Sequence, residues 1–235
     1  ILKLNSDLAS ASTSADVVAA LDSSGLMNAP TQGLNLMGPD TARSIGQAYS
    51  DICSKFPFLV GNIGGANCSR LGSSTYGQCS MSRGAIDFNT KYYGRGNEAA
   101  FAASFSNCIS TQFHPQGVMS KGAAYAVASH ELGHAIEGRL EKLMKAAGVD
   151  TTEKRKKRYF ISGRVMDKAL SNLSLQNDPL VIKKELSDYA NTDSAEFFAE
   201  AVSEYLCSPS PRPVAAEVGK ILERFMKNDF SDLGI

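Results

Sequence analysis

One stretch constrains this chain more than any other: Ala123-Ala124-Tyr125-Ala126-Val127-Ala128-Ser129-His130-Glu131-Leu132-Gly133-His134-Ala135-Ile136. Apolar residues continue on both sides of a His-Glu-x-x-His pattern, which predicts a buried helix. At about 100° per residue, His130 and His134 fall about 40° apart on one face, one turn from each other. Two imidazoles so placed can ligate one tetrahedral zinc ion. Glu131 stands one step round from His130. It can reach a water at such an ion without ligating the ion, and so serve as general base. Gly133 costs about 1 kcal/mol in a helix interior relative to Ala, so its presence predicts that another element comes close. The plainer alternative is two histidines on a helix beside a surface glutamate. Against it, the chain has three histidines in all, and two of them stand here.

A second stretch carries the complementary chemistry: Asp193-Ser194-Ala195-Glu196-Phe197-Phe198-Ala199-Glu200. Asp193 reads as a helix N-cap with Glu196 three residues on, the spacing of a capping box. Yet Glu196 and Glu200 are also i and i+4, and the residues between them are apolar. Both carboxylates therefore lie on one face of a largely buried helix, where they need a cation or hydrogen-bond partners. A zinc ion held by two histidines lacks one protein ligand. Glu196 could supply it, with Glu200 orienting a ligating histidine from behind. At the level of the residues, both readings of Glu196 stay open.

Composition narrows the function classes. The 235 residues suffice for one large domain or two small lobes. Formal net charge is zero, which gives no electrostatic case for a nucleic-acid or membrane-surface partner. No apolar run approaches the roughly 18 residues that would span a bilayer, and no signal-peptide pattern opens the chain. The first residue is Ile1 rather than Met, so a processed or excised piece is expected, with a lost signal left open. Cys53, Cys68, Cys79, Cys108 and Cys207 match no zinc ribbon or redox motif. Buried or free thiols in a reducing compartment such as a cytoplasm are the expectation. The alternative is a Cys68–Cys79 bridge stapling a Gly/Ser-rich loop, which would imply export or delivery to a host.

Taken in order, residues 1–38 are rich in Ser, Ala and Asn, and read as an arm or linker with a short helix near residues 15–21. Asp40 is the expected N-cap of an amphipathic helix ending at Pro57. Strands are expected at residues 58–63, 75–81 and 84–89, with a loop at 64–74. Asn97 is placed to cap a helix carrying Phe101 and Phe105. His114 precedes Pro115 and so takes extended or turn backbone; a plain loop residue is the simpler reading, and a residue lining a substrate cleft the other. The central helix is expected over residues 119–147, stopping at Gly148. The run Lys154-Arg155-Lys156-Lys157-Arg158 reads as a solvated helix face rather than a nucleic-acid or lipid contact. Further helices are expected from Pro179, from Asp193, and after the proline-rich turn that ends at Pro213.

Together, His130-Glu131-Leu132-Gly133-His134 and Tyr189-Ala190-Asn191-Thr192-Asp193-Ser194-Ala195-Glu196-Phe197-Phe198-Ala199-Glu200-Ala201 resemble the anthrax lethal factor type of zinc metallopeptidase. They also resemble the related Pro-Pro endopeptidases and many phage- or prophage-encoded proteins described as minor head components or peptidases. All are gluzincins, whose third ligand is a glutamate. The resemblance spans roughly residues 84–206. It implies a single Zn2+ held by His130, His134 and Glu196, Glu131 as general base, Tyr189 as oxyanion donor, and Glu200 behind a ligating histidine. It further implies an α+β zincin-like domain over residues 39–235: a small twisted sheet, the active-site helix, and a C-terminal helical lobe. A protein or peptide substrate would lie along the strand of residues 86–89, read as an edge strand, with Ile86, Asp87, Phe88 and His114 as its contacts. The chain departs from the lethal factor pattern in the helix near Phe101 and in the basic segment after the central helix. A phage head-associated or accessory binding protein that keeps zinc for stability is the alternative function.

Overall fold

Helical periodicity dominates the chain and sets its layout. The computed structural model describes residues 1–152, 159–227 and 230–231. It opens with helices α1 (Leu2–Ser10), α2 (Ser14–Ser23) and α3 (Pro39–Lys55). Thr13 and Asp16 form a reciprocal capping box ahead of α2, satisfying N–H groups that the first turn leaves without helical partners. Pro39 begins α3, where its fixed φ suits the first helical position. Gly38, not the expected Asp40, is the N-cap residue.

The expectation of an arm or linker over residues 1–38 is corrected. Leu4, Leu8, Val17, Leu21, Leu26, Leu34 and Met37 are each exposed by 2% or less and belong to the same core as the rest of the chain. The polar residues that resemble linker composition are used internally. The Ser14 hydroxyl donates to the Met37 carbonyl at 2.7 Å, and Asn5 Oδ1 accepts from Ser50 at 2.6 Å.

Three strands follow: β1 (Ala66–Ser69), β2 (Gly77–Ser80) and β3 (Ala85–Asn89), in the order β1-β3-β2. β1 pairs with β3 in parallel, Cys68 opposite Phe88, and β2 pairs with β3 antiparallel, Cys79 opposite Ile86. The expected strand at residues 58–63 does not form. Pro57 opens a 3-10 turn, Gly61 takes a φ of +69°, and Ile63 makes only a single bridge to Met27. β1 lies instead within the segment expected as a loop, carried by buried Ala66 and Cys68. All five cysteines are free; Cys68 and Cys79 sit on opposite neighbours of β3.

The remaining helices are α4 (Thr90–Tyr93), α5 (Glu98–Ser110), α6 (Ala123–Ala146), α7 (Phe160–Asn172), α8 (Pro179–Glu185), α9 (Ser194–Cys207) and α10 (Pro213–Phe225). α6 starts at Ala123, after a 3-10 turn over Gln116–Lys121, and ends just before Gly148, whose φ is +80°. It runs through the middle of the fold, packed by α3, β2, α7 and α9, while α10 closes over α7 and α9. The architecture is mixed α+β. The basic run at 154–158 lies outside the described residues, and no described helix is long and apolar enough to cross a membrane.

If the N-terminal helices are part of the core, Leu21→Ala should destabilise the protein by about 2–5 kcal/mol, read as a lowered denaturant midpoint at unchanged slope. An arm outside the core would give no change.

Candidate metal centre

α6 presents His130 and His134 on the side that meets α9. The two helices come close because position 133 has no side chain. A Cβ there would stand 2.9 Å from Cα of Ala199, which is the approach that the glycine foretells. Asp193 caps α9, its Oδ1 accepting the Glu196 N–H at 2.9 Å. The Glu196 side chain does not turn back to complete a capping box. Its Oε2 lies 3.0 Å from Nε2 of His130 and 3.4 Å from Nε2 of His134.

That oxygen is buried yet makes no hydrogen bond, because both contacts fall outside hydrogen-bond geometry. A tetrahedral ion with ligands at about 2.0–2.1 Å holds neighbouring donor atoms about 3.3 Å apart, close to the spacing found here. The group of buried His130 with half-buried His134 and Glu196, whose ligand atoms lie within 4.8 Å of one another, could hold a metal ion.

Glu200, one turn further along α9, is 1% exposed and surrounded by donors. Its Oε1 lies 2.8 Å from Nδ1 of His130, and its Oε2 accepts the Ser187 hydroxyl at 2.8 Å. Nδ1 of His114 is 3.2 and 3.3 Å from the two oxygens. Giving its Nδ1–H to Glu200 leaves His130 with the Nε2 lone pair directed at the metal position. Ser187 in turn accepts the Ala190 N–H at 3.1 Å, holding the turn that carries Tyr189.

Opposing effects set the charges. Burial pushes the Glu200 carboxyl up, but His114 and His130 bring it down to about 2. Burial also pushes Glu196 up, and His130 and His134 outweigh it, holding that carboxyl well below its usual range. Burial depresses both imidazoles, yet the adjoining carboxylates leave His130 and His134 above the ordinary histidine value of 6.5.

Glu131 is buried and ligates nothing. It lies against β2, where a Cβ on Gly77 would come within 3.0 Å of its Cγ, and Cys79 lines the smaller cavity beside it. Burial raises its carboxyl above the ordinary 4.5. Tyr189 sits in the 3-10 turn Tyr189–Asn191, its ring centroid 5.9 Å from that of His130. Burial, then the Glu196 carboxylate, push its hydroxyl far above the usual tyrosine value, so it remains a phenol able to donate. Cavities of about 360 and 300 Å³ meet at the centre; Gly77, His130, Glu131 and Tyr189 line both.

The structure thus brings together His130, His134, Glu196, Glu131, Tyr189 and Glu200. His114 joins them through Glu200, so the simpler reading of a plain loop residue gives way. The substrate contacts at residues 86–88 do not hold. β3 is the central strand, hydrogen-bonded on both sides, Ile86 and Phe88 are fully buried in the core, and Asp87 accepts a hydrogen bond from Ser69. Sequence reasoning misses Ser187 and the position of β2 at the edge of the sheet. A serine three residues before a turn N–H is a recognisable cap, but nothing local reveals its bond to Glu200. No protein-family model matches the chain, and neither a curated protein nor a solved structure matches it.

With both imidazoles held above 6.5 in the metal-free protein, a metal ion must displace protons at neutral pH. Titration with Zn2+ at pH 7, in buffers of differing ionisation enthalpy, should release about one proton or more. Apparent affinity should climb as pH rises beyond 6.5, and an affinity flat across that range would contradict protonated imidazoles in the metal-free state.

Proposed function

We propose that this chain is a zinc-dependent endopeptidase, a gluzincin of the lethal factor type with a zincin-like fold. One observation carries the reading. Two helices converge so that Glu196 Oε2 lies unbonded between two histidine Nε2 atoms, while Glu131 stays off that cluster, against a strand edge. An ion kept for stability alone asks for a closed set of four ligands. Among the described residues, the group offers three, beside Glu131 and Tyr189, which a purely structural site does not need.

Zinc held by His130, His134 and Glu196 would supply Lewis acidity and bring the pKa of a water towards about 7. Glu131 takes the proton of the attacking water; its raised carboxyl lies nearer the pH at which a base both accepts and returns a proton. It then passes that proton to the departing amine. The Tyr189 phenol donates to the carbonyl oxygen as negative charge develops there. The peptide lies along β2 rather than along residues 86–89. Asn89 N–H bonds to the Tyr76 carbonyl, so in this antiparallel register the N–H and C=O groups of Gly77 and Cys79 point away from β3. An extended chain added at that edge meets them by β-augmentation. The two cavities receive side chains on either side of the cleaved bond, the larger one walled by Phe105, Phe113 and Val118.

The test is a degenerate peptide library incubated with zinc-loaded protein and read by mass spectrometry. Wild type should cut a subset of peptides. Glu131→Gln should retain zinc and lose about 100-fold or more in turnover. Tyr189→Phe should retain zinc and lose about 100-fold in kcat. Cutting by Glu131→Gln at the wild-type rate would overturn the mechanism, and a zinc-loaded wild type that cuts nothing would overturn the function.

A further inference from the structure

His114 takes no part in that chemistry, yet several contacts hold it in place beside it. It follows α5 by a backbone reversal in which Gln112 adopts a φ of +58°, a left-handed conformation that costs a residue other than glycine about 1 kcal/mol. That reversal lets the Gln112 carbonyl accept the Asp188 N–H at 2.8 Å and the Phe113 carbonyl accept the Tyr189 N–H at 3.0 Å. The loop of His114 and the turn of Tyr189 are therefore one stitched unit.

The imidazole is fixed on three sides. It stacks on Phe105 with centroids 5.1 Å apart and planes 24° apart, meets the Tyr189 ring at 5.5 Å, and turns Nδ1 to both oxygens of Glu200. Glu200 already receives Nδ1 of His130 and the Ser187 hydroxyl, so His114 is not its sole support. A neutral imidazole that donates from Nδ1 keeps Nε2 as an acceptor. No hydrogen bond within the described residues engages that nitrogen, and His114 lines the 360 Å³ cavity that Glu131 and Tyr189 also line.

We propose that His114 contacts the substrate, its Nε2 accepting a hydrogen bond from a backbone N–H of the bound peptide in that cavity. The proposal rests on the peptidase reading and adds to it. One buried carboxylate, Glu200, then orients two imidazoles, one towards the metal and one towards the peptide. The substrate class that follows is an extended peptide with a free backbone N–H at the residue entering the cavity, so an N-methylated residue or an ester link there is discriminated against.

The experiment compares wild type with His114→Phe, which keeps a ring to stack on Phe105 and removes both nitrogens. A peptide that wild type cuts is remade with each backbone N–H in turn N-methylated or replaced by an ester oxygen. One replacement should lower wild-type kcat/KM about tenfold or more, and the same replacement should cost His114→Phe little, at equal zinc content. As a readout independent of turnover and of that variant, the 15N resonance of His114 Nε2 in zinc-loaded Glu131→Gln should move on saturation with the peptide. Wild type and His114→Phe penalised alike at every N–H, or an unmoved resonance, would overturn the proposal and leave the peptidase reading intact. Zinc lost from His114→Phe would make His114 a support for the metal ligand rather than a substrate contact. A wild type that cuts no peptide would overturn both.

Discussion

The contact between Gly133 and Ala199 fixes the distance between α6 and α9, and the centre depends on that distance. A side chain at position 133 would have to displace the backbone of α9, since its Cβ would stand 2.9 Å from Cα of Ala199. Ala199 falls between Glu196 and Glu200, so the closest point of the two helices carries a carboxylate on each side of it. One reaches the Nε2 atoms of the two histidines and the other reaches Nδ1 of His130. A separation larger by one methyl group would cost the first pair its spacing and the second its hydrogen bond. The helix penalty of the glycine is thus offset by what it lets α6 approach.

Electrostatics gives the same cluster its character. Glu131, Glu196 and Glu200 are brought out of water within one small volume, and burial alone would neutralise all three. For Glu196 and Glu200 the adjoining histidines reverse that tendency and hold the carboxyl below its usual range. Glu131 is the third, and its carboxyl is raised. Neighbouring carboxylates on a shared scaffold have thus been pushed apart in acidity, two held charged beside the histidines and one raised towards its neutral form. The Glu204 carboxylate, also buried, is held by Arg212 at 2.7 Å. Arg212 also donates to the backbone of Lys184 and Leu186, tying the end of α9 to the segment just before Ser187 and Tyr189.

What was legible in the sequence was what local spacing determines. The i, i+4 histidines, the Asp193 cap, the i, i+4 glutamates and the close approach at Gly133 are each written within one helix turn, and the structure places them so. Where partners are distant in sequence, spacing was silent or misleading. Residues 58–63 are apolar enough for a strand, but Pro57 and Gly61 bend them away, and β1 forms in polar-looking sequence because β3 offers it a parallel partner. Residues 1–38 resemble a linker by composition, yet α3 supplies a surface for Leu8 and Val17, with Leu8 close enough that a Cβ on Gly46 would meet it at 2.8 Å. The bond from His114 to Glu200 spans 86 residues, and no pattern near His114 announces it.

Strand order was the least legible feature, and it decides which edge can receive a peptide. Residues 84–89 have the clearest alternation in the sheet, which is why they attract a role at an edge. The same alternation marks a strand buried enough to be central, with Ile86 and Phe88 facing the core. Of the two outer strands, β1 is covered. The Gln32 N–H bonds to the Ala66 carbonyl at 3.3 Å, and the Cys68 N–H bonds to the Gln32 carbonyl at 2.7 Å, so the N-terminal segment occupies the groups that β1 would otherwise expose. An uncovered strand edge is a ready template for another chain. By sealing β1, residues 27–32 direct any such pairing to β2, the edge that carries Gly77 against Glu131. The segment with the least chemistry in its sequence therefore bears directly on where another chain could pair with the sheet.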